Sequence, residues 1–347
     1  MKDDGSKEVK ILRNETISRR RPPLNFKQED LRLFSHEFEK RIPETRLLTF
    51  HNVRISSEGI LFNGFKMLPD SFAFPANLQQ WKHRSRFKFL INNYVLRRTR
   101  KIDLPVLWIT DDWSSGYFHW VTDVLTRLYV VHAQLDGAVL LLPHEYERRE
   151  FATSSITAFG WQAVEFIAGD ESLLCREVLL PSHTAPSGHY NEALVKGVRH
   201  TLLNTFGLSV DDADDRIYIS RSRARKRRII NEAEVVDLLR EFSFQIIHAE
   251  DLSFQQQVTT LSRARYLVSN HGAGLTNMMF MPLDGRVLEL RHQTDAINNC
   301  YFTLSSALGI DYLYQTCPSV AGSEDAHSAD LQVDVDMLRT NLKLLLS

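Results

Sequence analysis

Short apolar runs alternate with helical patterns through residues 216–291, and this alternation constrains the fold more than any other feature of the sequence. Between the apolar runs, hydrophobic residues recur at helical spacing. A strand–helix–strand repeat joins parallel strands by right-handed crossovers. This half of the chain is therefore predicted to be an α/β domain on a parallel sheet. Its predicted strands are RIYIS at 216–220, FQIIHA at 244–249, RYLVS at 265–269 and GRVLELR at 285–291.

The same alternation occurs earlier in the chain, after a predicted β-hairpin at 51–65. The acidic, helix-breaking stretch GLSVDDADD at 207–215 separates the two halves. The first half is predicted to have strands at 104–110, 138–143, 163–168 and 175–181, and helices at 117–131, 146–159 and 190–206. We predict four parts: an N-terminal extension at 1–45, a first domain at 46–208, a second domain at 209–320, and a C-terminal segment at 321–347 with a helix that packs back on the first domain.

The composition excludes several classes of protein. Hydrophobic residues make up 43% of the chain and charged residues 24%, as in ordinary globular proteins, and the net charge of -1 argues against a protein dedicated to nucleic acid. Cys175, Cys300 and Cys317 have no CxxC spacing, which fits a reducing compartment. No apolar signal sequence or run of about 20 apolar residues is present. We expect a cytoplasmic protein, in which the basic segment RRRPP at 19–23 is either a solvated tail or a peripheral membrane contact.

Two loops at strand ends are candidates for an anion site. In SRSRARKRR, six of the eight residues from Arg221 to Arg228 are Arg or Lys. The loop SNHGAGLTN carries Gly272 and Gly274, which allow close backbone approach before a predicted helix N-terminus. If the strands at 216–220 and 265–269 are parallel, both loops emerge at one edge of the sheet and suit a diphosphate. Arg223 or Arg225 is then expected to point to water.

Other polar residues have both functional and structural interpretations. Glu289 lies in an apolar strand, where it either contacts a ribose hydroxyl or pairs with Arg291 or another Arg. Asn231 and Glu234 have the spacing of a capping box. His119 and Asp123 lie four residues apart on one helical face. Either His119 is a general base that Asp123 orients, or Asp123 is itself the base, or the two form a structural pair.

At these residues the sequence resembles glycosyltransferase family 61, in particular its bacterial capsular-polysaccharide-type members. The resemblance covers roughly residues 50–315 and rests on three blocks: GYFHWVTDVLTRL, YISRSRARKRRIINEAEVV and VSNHGAGLTNMMFMPLDGRVLEL. It implies a GT-B fold, with two Rossmann-like domains facing a cleft, the first on the acceptor side and the second binding a nucleotide sugar. It also implies inversion at the anomeric carbon without a metal. The lack of the secretory anchor of eukaryotic members favours a bacterial, cytoplasmic enzyme.

The resemblance also implies roles for individual residues. His119 and Asp123 match the first block as candidates for the catalytic base. The donor-binding positions are Arg221, Arg227, Asn231 and Glu232 in the second block, and His271, Gly272, Gly274, Leu275, Thr276, Asn277 and Glu289 in the third.

The expected reaction needs a base for the acceptor hydroxyl and positive charge for the departing diphosphate. The triplets Asp212-Ala213-Asp214 and Asp334-Val335-Asp336 do not follow buried strands, so we discount them as metal sites. The Arg-rich loop is expected to stabilise the leaving group instead. We expect a UDP-sugar donor, a glycan or other hydroxyl acceptor in polysaccharide biosynthesis, and no cofactor. The alternatives are a non-catalytic nucleotide-sugar-binding protein and a nucleic-acid-binding protein, although the Arg-rich loop has no aromatic residues for base stacking.

Overall fold

A computed structural model describes residues 7–74, 76–78, 86–132, 134–135, 137–211, 213–319 and 325–347. Its strands are β1 Lys7–Arg13, β2 Thr16–Arg19, β3 Glu39–Ile42, β4 Thr45–Ser56, β5 Leu61–Asn63, β6 Lys66–Met67, β7 Arg98–Ile102, β8 Val106–Leu107, β9 Val139–Pro143, β10 Val164–Ile167, β11 Glu171–Pro181, β12 Asp215–Ile219, β13 Gln245–Ile247, β14 Ala264–Asn270, β15 Arg286–His292 and β16 Asp311–Cys317.

The helices include α-helical, 3₁₀ and π segments. The α-helices are Leu31–Phe34, Arg86–Ile91, Tyr117–His119, Leu125–Val131, Glu150–Ala158, Glu192–Thr205, Glu232–Glu241, Phe254–Ser262, Cys300–Leu308 and Val335–Leu345. The 3₁₀ helices are Gln28–Asp30, Ser35–Glu37, Pro69–Ser71, His144–Arg148, Ala249–Asp251 and Ala273–Phe280, and the π-helices are Asn92–Leu96 and Trp120–Val124.

Internal contacts divide the chain into two units. The first unit consists of the chain up to Thr16 together with Pro43–Ser187, and the second consists of Ile17–Ile42 and Gly188–Ser347. The helix Glu192–Thr205, which the sequence assigned to the first domain, therefore lies in the second unit. Its buried face contacts the helices Phe254–Ser262 and Cys300–Leu308.

The first unit has a mixed sheet of nine strands among the described residues. Its main path is β10-β9-β8-β11-β4-β5-β6, with β1 beside β4 and β7 beside β11. Strands β8 to β11 pair in parallel along this path, whereas the long strand β4 is antiparallel to β11. The predicted hairpin at 51–65 is confirmed, because β4 and β5 pair through Arg54 with Phe62.

The second unit is built on a sheet whose five strands, among the described residues, run in the order β13-β12-β14-β15-β16. Each neighbouring pair is parallel, which confirms the α/β prediction. Leu267, Val268, Val287 and Leu288 are fully buried because helices cover both faces of such a sheet. The sequence analysis missed β16 and the helix Cys300–Leu308 before it.

Several local predictions are wrong in an informative way. The Asn231 side chain makes no capping bond. It exchanges hydrogen bonds with the backbone of Val333 instead, at 2.9 and 3.0 Å. A capping box does occur at the next α-helix, Phe254–Ser262, between Ser253 and Gln256. The helix predicted to follow Gly272 and Gly274 is a 3₁₀ helix, Ala273–Phe280.

The C-terminal helix Val335–Leu345, predicted to pack on the first domain, contributes to the core of the second unit. Leu338, Leu342 and Leu345 are fully buried there, against Leu239 and Leu313 among others. No helix in the described part of the chain is both long and apolar enough to cross a membrane.

Candidate functional site

The two loops singled out in the sequence meet at the carboxyl edge of the second unit's sheet. Strand β12 pairs in parallel with β14, so the Arg-rich loop and the Gly-rich loop leave the same edge. The Asn270 side chain donates to the Arg227 carbonyl, and Ser269 Oγ donates to the Ile219 carbonyl at 2.8 Å. The prediction that these loops converge is confirmed.

Arg221 and Arg227 are directed inward from the Arg-rich loop. The Nε atom of each is buried without a hydrogen-bond partner, and neither guanidinium pairs with a carboxylate in the part of the chain that the structure describes. Burial, followed by repulsion from Arg227, lowers the pKa of Arg221. Arg227 also has a left-handed backbone with φ of 58°, a conformation that costs about 1–3 kcal/mol for a non-glycine residue. This strain and the unpaired charge are what an anion-binding loop would retain.

The other cations of the run have different surroundings. Arg223 pairs with Asp251 at 2.6 Å, and Arg228 pairs with Asp330 at 2.8 Å. Arg225 is exposed, as the sequence suggested for one of the alternating positions, whereas Arg223 is half-exposed but paired. The cations of the Arg-rich loop therefore fall into two classes. Arg221 and Arg227 point inward, whereas the others are exposed to solvent or pair with acidic side chains.

Gly272 lets the Arg221 side chain lie against the backbone of the Gly-rich loop. A Cβ at Gly272 would be only 2.1 Å from Arg221 Nη1, and one at Gly274 would be 2.9 Å from Ile219 Cγ2. Both distances are shorter than any normal contact, so each glycine is required by close approach. The atom that faces Gly272 is the end of the flexible Arg221 side chain, whereas the atom that faces Gly274 is close to the backbone of Ile219.

Glu289 is fully buried, and it forms hydrogen bonds with His271 and Tyr312 rather than with an arginine. His271 Nδ1 lies 2.5 Å from Glu289 Oε1, and the Tyr312 hydroxyl donates to Glu289 Oε2. Asn298 Nδ2 lies 3.0 Å from His271 Nε2. Because an amide nitrogen only donates, Nε2 accepts and Nδ1 carries the proton to Glu289. Burial raises the pKa of Glu289, but His271 and Arg291 outweigh it and hold that pKa below its ordinary value.

The remaining predicted donor positions surround the two loops. Glu232 accepts from Tyr218 at 2.8 Å and from Ser220 at 2.7 Å, which ties the helix start to β12. Leu275 and Thr276 are fully buried. Asn277, also buried, donates to Gln257 at 2.9 Å.

In the first unit, His119 and Asp123 share one helical face as predicted. His119 Nδ1 lies 2.9 Å from Asp123 Oδ2, and Ser187 Oγ lies within 3.2 Å of both groups. Asp123 belongs to the π-helix Trp120–Val124, a local distortion that is frequent at functional sites. The two bonds to His119 both use Nδ1, so the geometry suits a histidine that exchanges a proton at Nε2.

The sequence analysis missed a second polar cluster in the first unit, beyond the ends of β8 and β11. Asp111 Oδ2 lies 2.9 Å from His183 Nε2 and 3.2 Å from the buried Arg127. Burial opposes ionisation of Asp111, but these two partners outweigh it and hold its pKa well below the usual range. The signal was present, because a polar residue directly follows a predicted strand in both ITDDW and LLPSH.

Only the second acidic triplet lies wholly within the described residues. Asp334 caps the helix Val335–Leu345 by accepting from the Met337 N–H at 2.9 Å, while Asp212 lies outside the described residues. The described residues contain no group of three or more His, Cys, Asp or Glu that could hold a metal ion.

Comparison with known proteins gives a family match. Residues 117–288, just under half of the chain, match the family described as Glycosyltransferase 61. This stretch contains the His119 pair, the Arg-rich loop and the Gly-rich loop. The match supports the family resemblance drawn from the sequence, without distinguishing a bacterial capsular type.

Curated relatives agree with the family match. The chain is similar to the EGF domain-specific O-linked N-acetylglucosamine transferase of Rattus norvegicus, with 28% identity over 147 residues, 40% of this chain and 28% of the rat protein. It is also similar to protein O-linked-mannose beta-1,4-N-acetylglucosaminyltransferase 2 of Xenopus laevis, with 34% identity over 145 residues, 37% of this chain and 24% of the frog protein. The chain thus spans about a quarter of the length of these relatives.

Proposed function

Starting from the match of residues 117–288 to glycosyltransferase family 61, we propose that this chain is a glycosyltransferase that moves a sugar from a nucleotide-sugar donor to a hydroxyl group of a glycan. The observation that carries the proposal is the pair of inward guanidinium groups, Arg221 and Arg227, beside the Gly-rich loop. Each charge-assisted bond from such a group to a phosphate contributes about 1.5–3 kcal/mol. These groups supply positive charge where a nucleoside diphosphate would leave.

The proposed reaction is a single displacement at the anomeric carbon with inversion. The acceptor hydroxyl transfers its proton to His119 Nε2 as its oxygen bonds to the anomeric carbon. The bond from that carbon to the β-phosphate oxygen breaks, and the electron pair leaves with the diphosphate. Asp123 orients His119 and stabilises the imidazolium through Nδ1, where the two groups are 2.9 Å apart.

We extend the proposal to features implied by the family resemblance. These are a GT-B arrangement, a UDP-linked donor, a reaction that needs no metal, and a role in polysaccharide synthesis of the bacterial capsular type. A cytoplasmic location is proposed because Cys175, Cys300 and Cys317 are buried free thiols.

The test is a panel of UDP-, GDP- and CMP-sugars, scored for nucleotide release with and without glycan acceptors. Arg221→Ala and Arg227→Ala are each expected to reduce turnover about 100-fold, the typical cost of losing one donor to a developing anion. Arg225→Ala, which removes an exposed charge from the same loop, is the matched control. Full turnover in the double variant of Arg221 and Arg227 would reject the proposal.

Thermal shifts separate the alternatives. A ligand that binds only the native state raises the melting temperature with its concentration. A non-catalytic binding protein would be stabilised by one nucleotide without turnover, and that stabilisation would not depend on His119. A nucleic-acid-binding protein would instead bind oligonucleotides with a steep salt dependence.

A further inference from the structure

Beside His119, the first unit exposes two aromatic side chains that the proposed reaction does not yet use. The centre of the Trp113 ring lies 5.0 Å from the centre of the His119 ring, and the centre of the Phe74 ring lies 4.8 Å from that of Trp113. Trp113 is 40% exposed and Phe74 is 37% exposed, so both keep open surface. Phe74 and Trp113 are called the aromatic shelf below.

We propose that the aromatic shelf binds the apolar face of a pyranose ring of the acceptor and presents one of its hydroxyl groups to His119. The inference rests on the proposed function and names the substrate class for the acceptor side of that reaction. Sugar-binding sites need this combination because a pyranose has one face of C–H groups and a rim of hydroxyls. Aromatic rings cover the apolar face, while a few placed polar groups fix the orientation.

The loop that carries Trp113 is held rigidly from within the unit. Asp111 Oδ1 accepts from the Trp113 N–H at 2.9 Å and from Ser114 Oγ at 3.1 Å. Its other oxygen accepts from His183 at 2.9 Å and Arg127 at 3.2 Å. A buried ion pair is often no more stabilising than well-packed apolar residues. We therefore attribute to these hydrogen bonds of Asp111 the role of fixing the loop conformation rather than that of stabilising the fold.

Phe74 is tied to the same loop by the next carboxylate. Asp112 accepts from the Ala73 N–H at 2.9 Å and from Asn77 Nδ2 at 2.7 Å. The two adjacent carboxylates thus fix the two sides of the shelf, one holding Trp113 and the other the segment around Phe74. A preorganised aromatic surface loses little entropy when a ligand binds.

The hydrogen bonds of His119 are the last feature that supports this acceptor site. Among the described residues, its bonds with Asp123 and Ser187 both involve Nδ1. A sugar stacked on Trp113 would lie next to the histidine that the proposed reaction uses as a base. The shelf and the His119 pair then form one acceptor site within the first unit.

The first test measures sugar binding without a donor. The protein is labelled with 5-fluorotryptophan, and Trp113→Phe identifies the Trp113 signal among those of the five tryptophans. Methyl glucoside, galactoside, xyloside and N-acetylglucosaminide are titrated, with sorbitol as an acyclic polyol control. At least one pyranoside is expected to shift the Trp113 signal, whereas sorbitol leaves it in place. Cyclohexanol is titrated as a second control, because it is a ring without the hydroxyl rim of a sugar. The proposal is overturned if no pyranoside shifts the Trp113 signal, or if cyclohexanol alone does so.

The second test measures how sugar is partitioned between acceptor and water. Trp113→Ala is expected to lower the ratio of transfer to hydrolysis on the order of tenfold, the loss expected for one aromatic stacking contact. Trp113→Phe should retain most of this ratio. Phe65→Ala, which removes another exposed aromatic ring from the same unit, is the control. A wild-type protein that binds pyranosides at Trp113 but releases no nucleotide would refute the proposed function and leave the shelf standing. An unchanged ratio in Trp113→Ala overturns the shelf.

Discussion

At the scale of single residues, the candidate donor site depends on two arginines that form no ion pair with any of the described residues. Nearby arginines of the same run, Arg223 and Arg228, each have a carboxylate within 2.8 Å. Carboxylates therefore pair with some arginines of this loop, but no described carboxylate pairs with Arg221 or Arg227. Their positions depend on backbone features, namely the left-handed Arg227 and the missing side chain of Gly272.

Gly272→Ala is expected to weaken donor binding more than it weakens folding. The new methyl group would meet Arg221 Nη1 at 2.1 Å, and this flexible guanidinium can move away. We expect a loss of nucleotide affinity about as large as that of one charged hydrogen bond, about 1.5–3 kcal/mol, with little change in melting temperature.

The control is Gly274→Ala, whose methyl group would meet the core side chain of Ile219 at 2.9 Å. This variant should lower the melting temperature instead. Calorimetry with UDP and thermal unfolding of both variants separate the two effects. Equal nucleotide affinity in Gly272→Ala and the wild type would argue against Arg221 as a donor contact.

At the scale of secondary structure, the sequence patterns predicted strands β12 to β15 of the second unit but not the side-chain contacts between distant segments. The strands β12, β14 and β15 were found from short apolar runs, and parallel pairing then required their loops to share an edge. The missed contacts join residues far apart in the chain. Asn231 binds Val333, Arg223 binds Asp251, and Glu289 binds His271 and Tyr312. No local spacing encodes a partner that only the folded chain brings near.

The loop after β8 provides a prediction about pH. The folded-state pKa of Asp111 is depressed, so its ionisation stabilises the native state above the unfolded value of about 3.9 and this contribution disappears as the pH falls below it. Asp111→Asn leaves Arg127 buried without its counter-charge, at a cost of about 3–5 kcal/mol near neutral pH.

The difference in melting temperature between the wild type and Asp111→Asn should therefore be largest near pH 7 and shrink below about pH 4. Asp112→Asn removes the neighbouring, more exposed carboxylate and should show a smaller difference at neutral pH. A difference in melting temperature between the wild type and Asp111→Asn that stays constant across this pH range would contradict the prediction.

At the scale of the whole molecule, the chain order does not follow the division into units. Residues 17–42 lie between the two segments of the first unit but belong to the second. Phe34 is fully buried there, with ring centres 5.2 Å from Phe302 and 4.8 Å from Tyr314. The Arg291 guanidinium lies over the same ring at 5.2 Å. The early segment thus supports the strands that carry Glu289 and Tyr312.

Phe34→Ala is expected to destabilise the second unit by about 3–5 kcal/mol, the usual cost of removing a buried aromatic side chain. Hydrogen exchange followed by mass spectrometry should show lost protection within 188–347 and retained protection within 43–187. Leu31→Ala, at a residue that is 40% exposed, is the control and should change neither region. Equal loss of protection in both units would show that they do not unfold separately.

Because of this early segment, the order of synthesis and the order of folding differ. The ribosome releases Phe34 long before it makes β16, which carries Tyr312 and Tyr314. The Phe34 side chain therefore lacks its contacts with these two tyrosines while the intervening polypeptide emerges. Contacts of such long sequence separation form slowly and leave a nascent chain open to aggregation. The core around Phe34 is therefore complete only after β16 has been made.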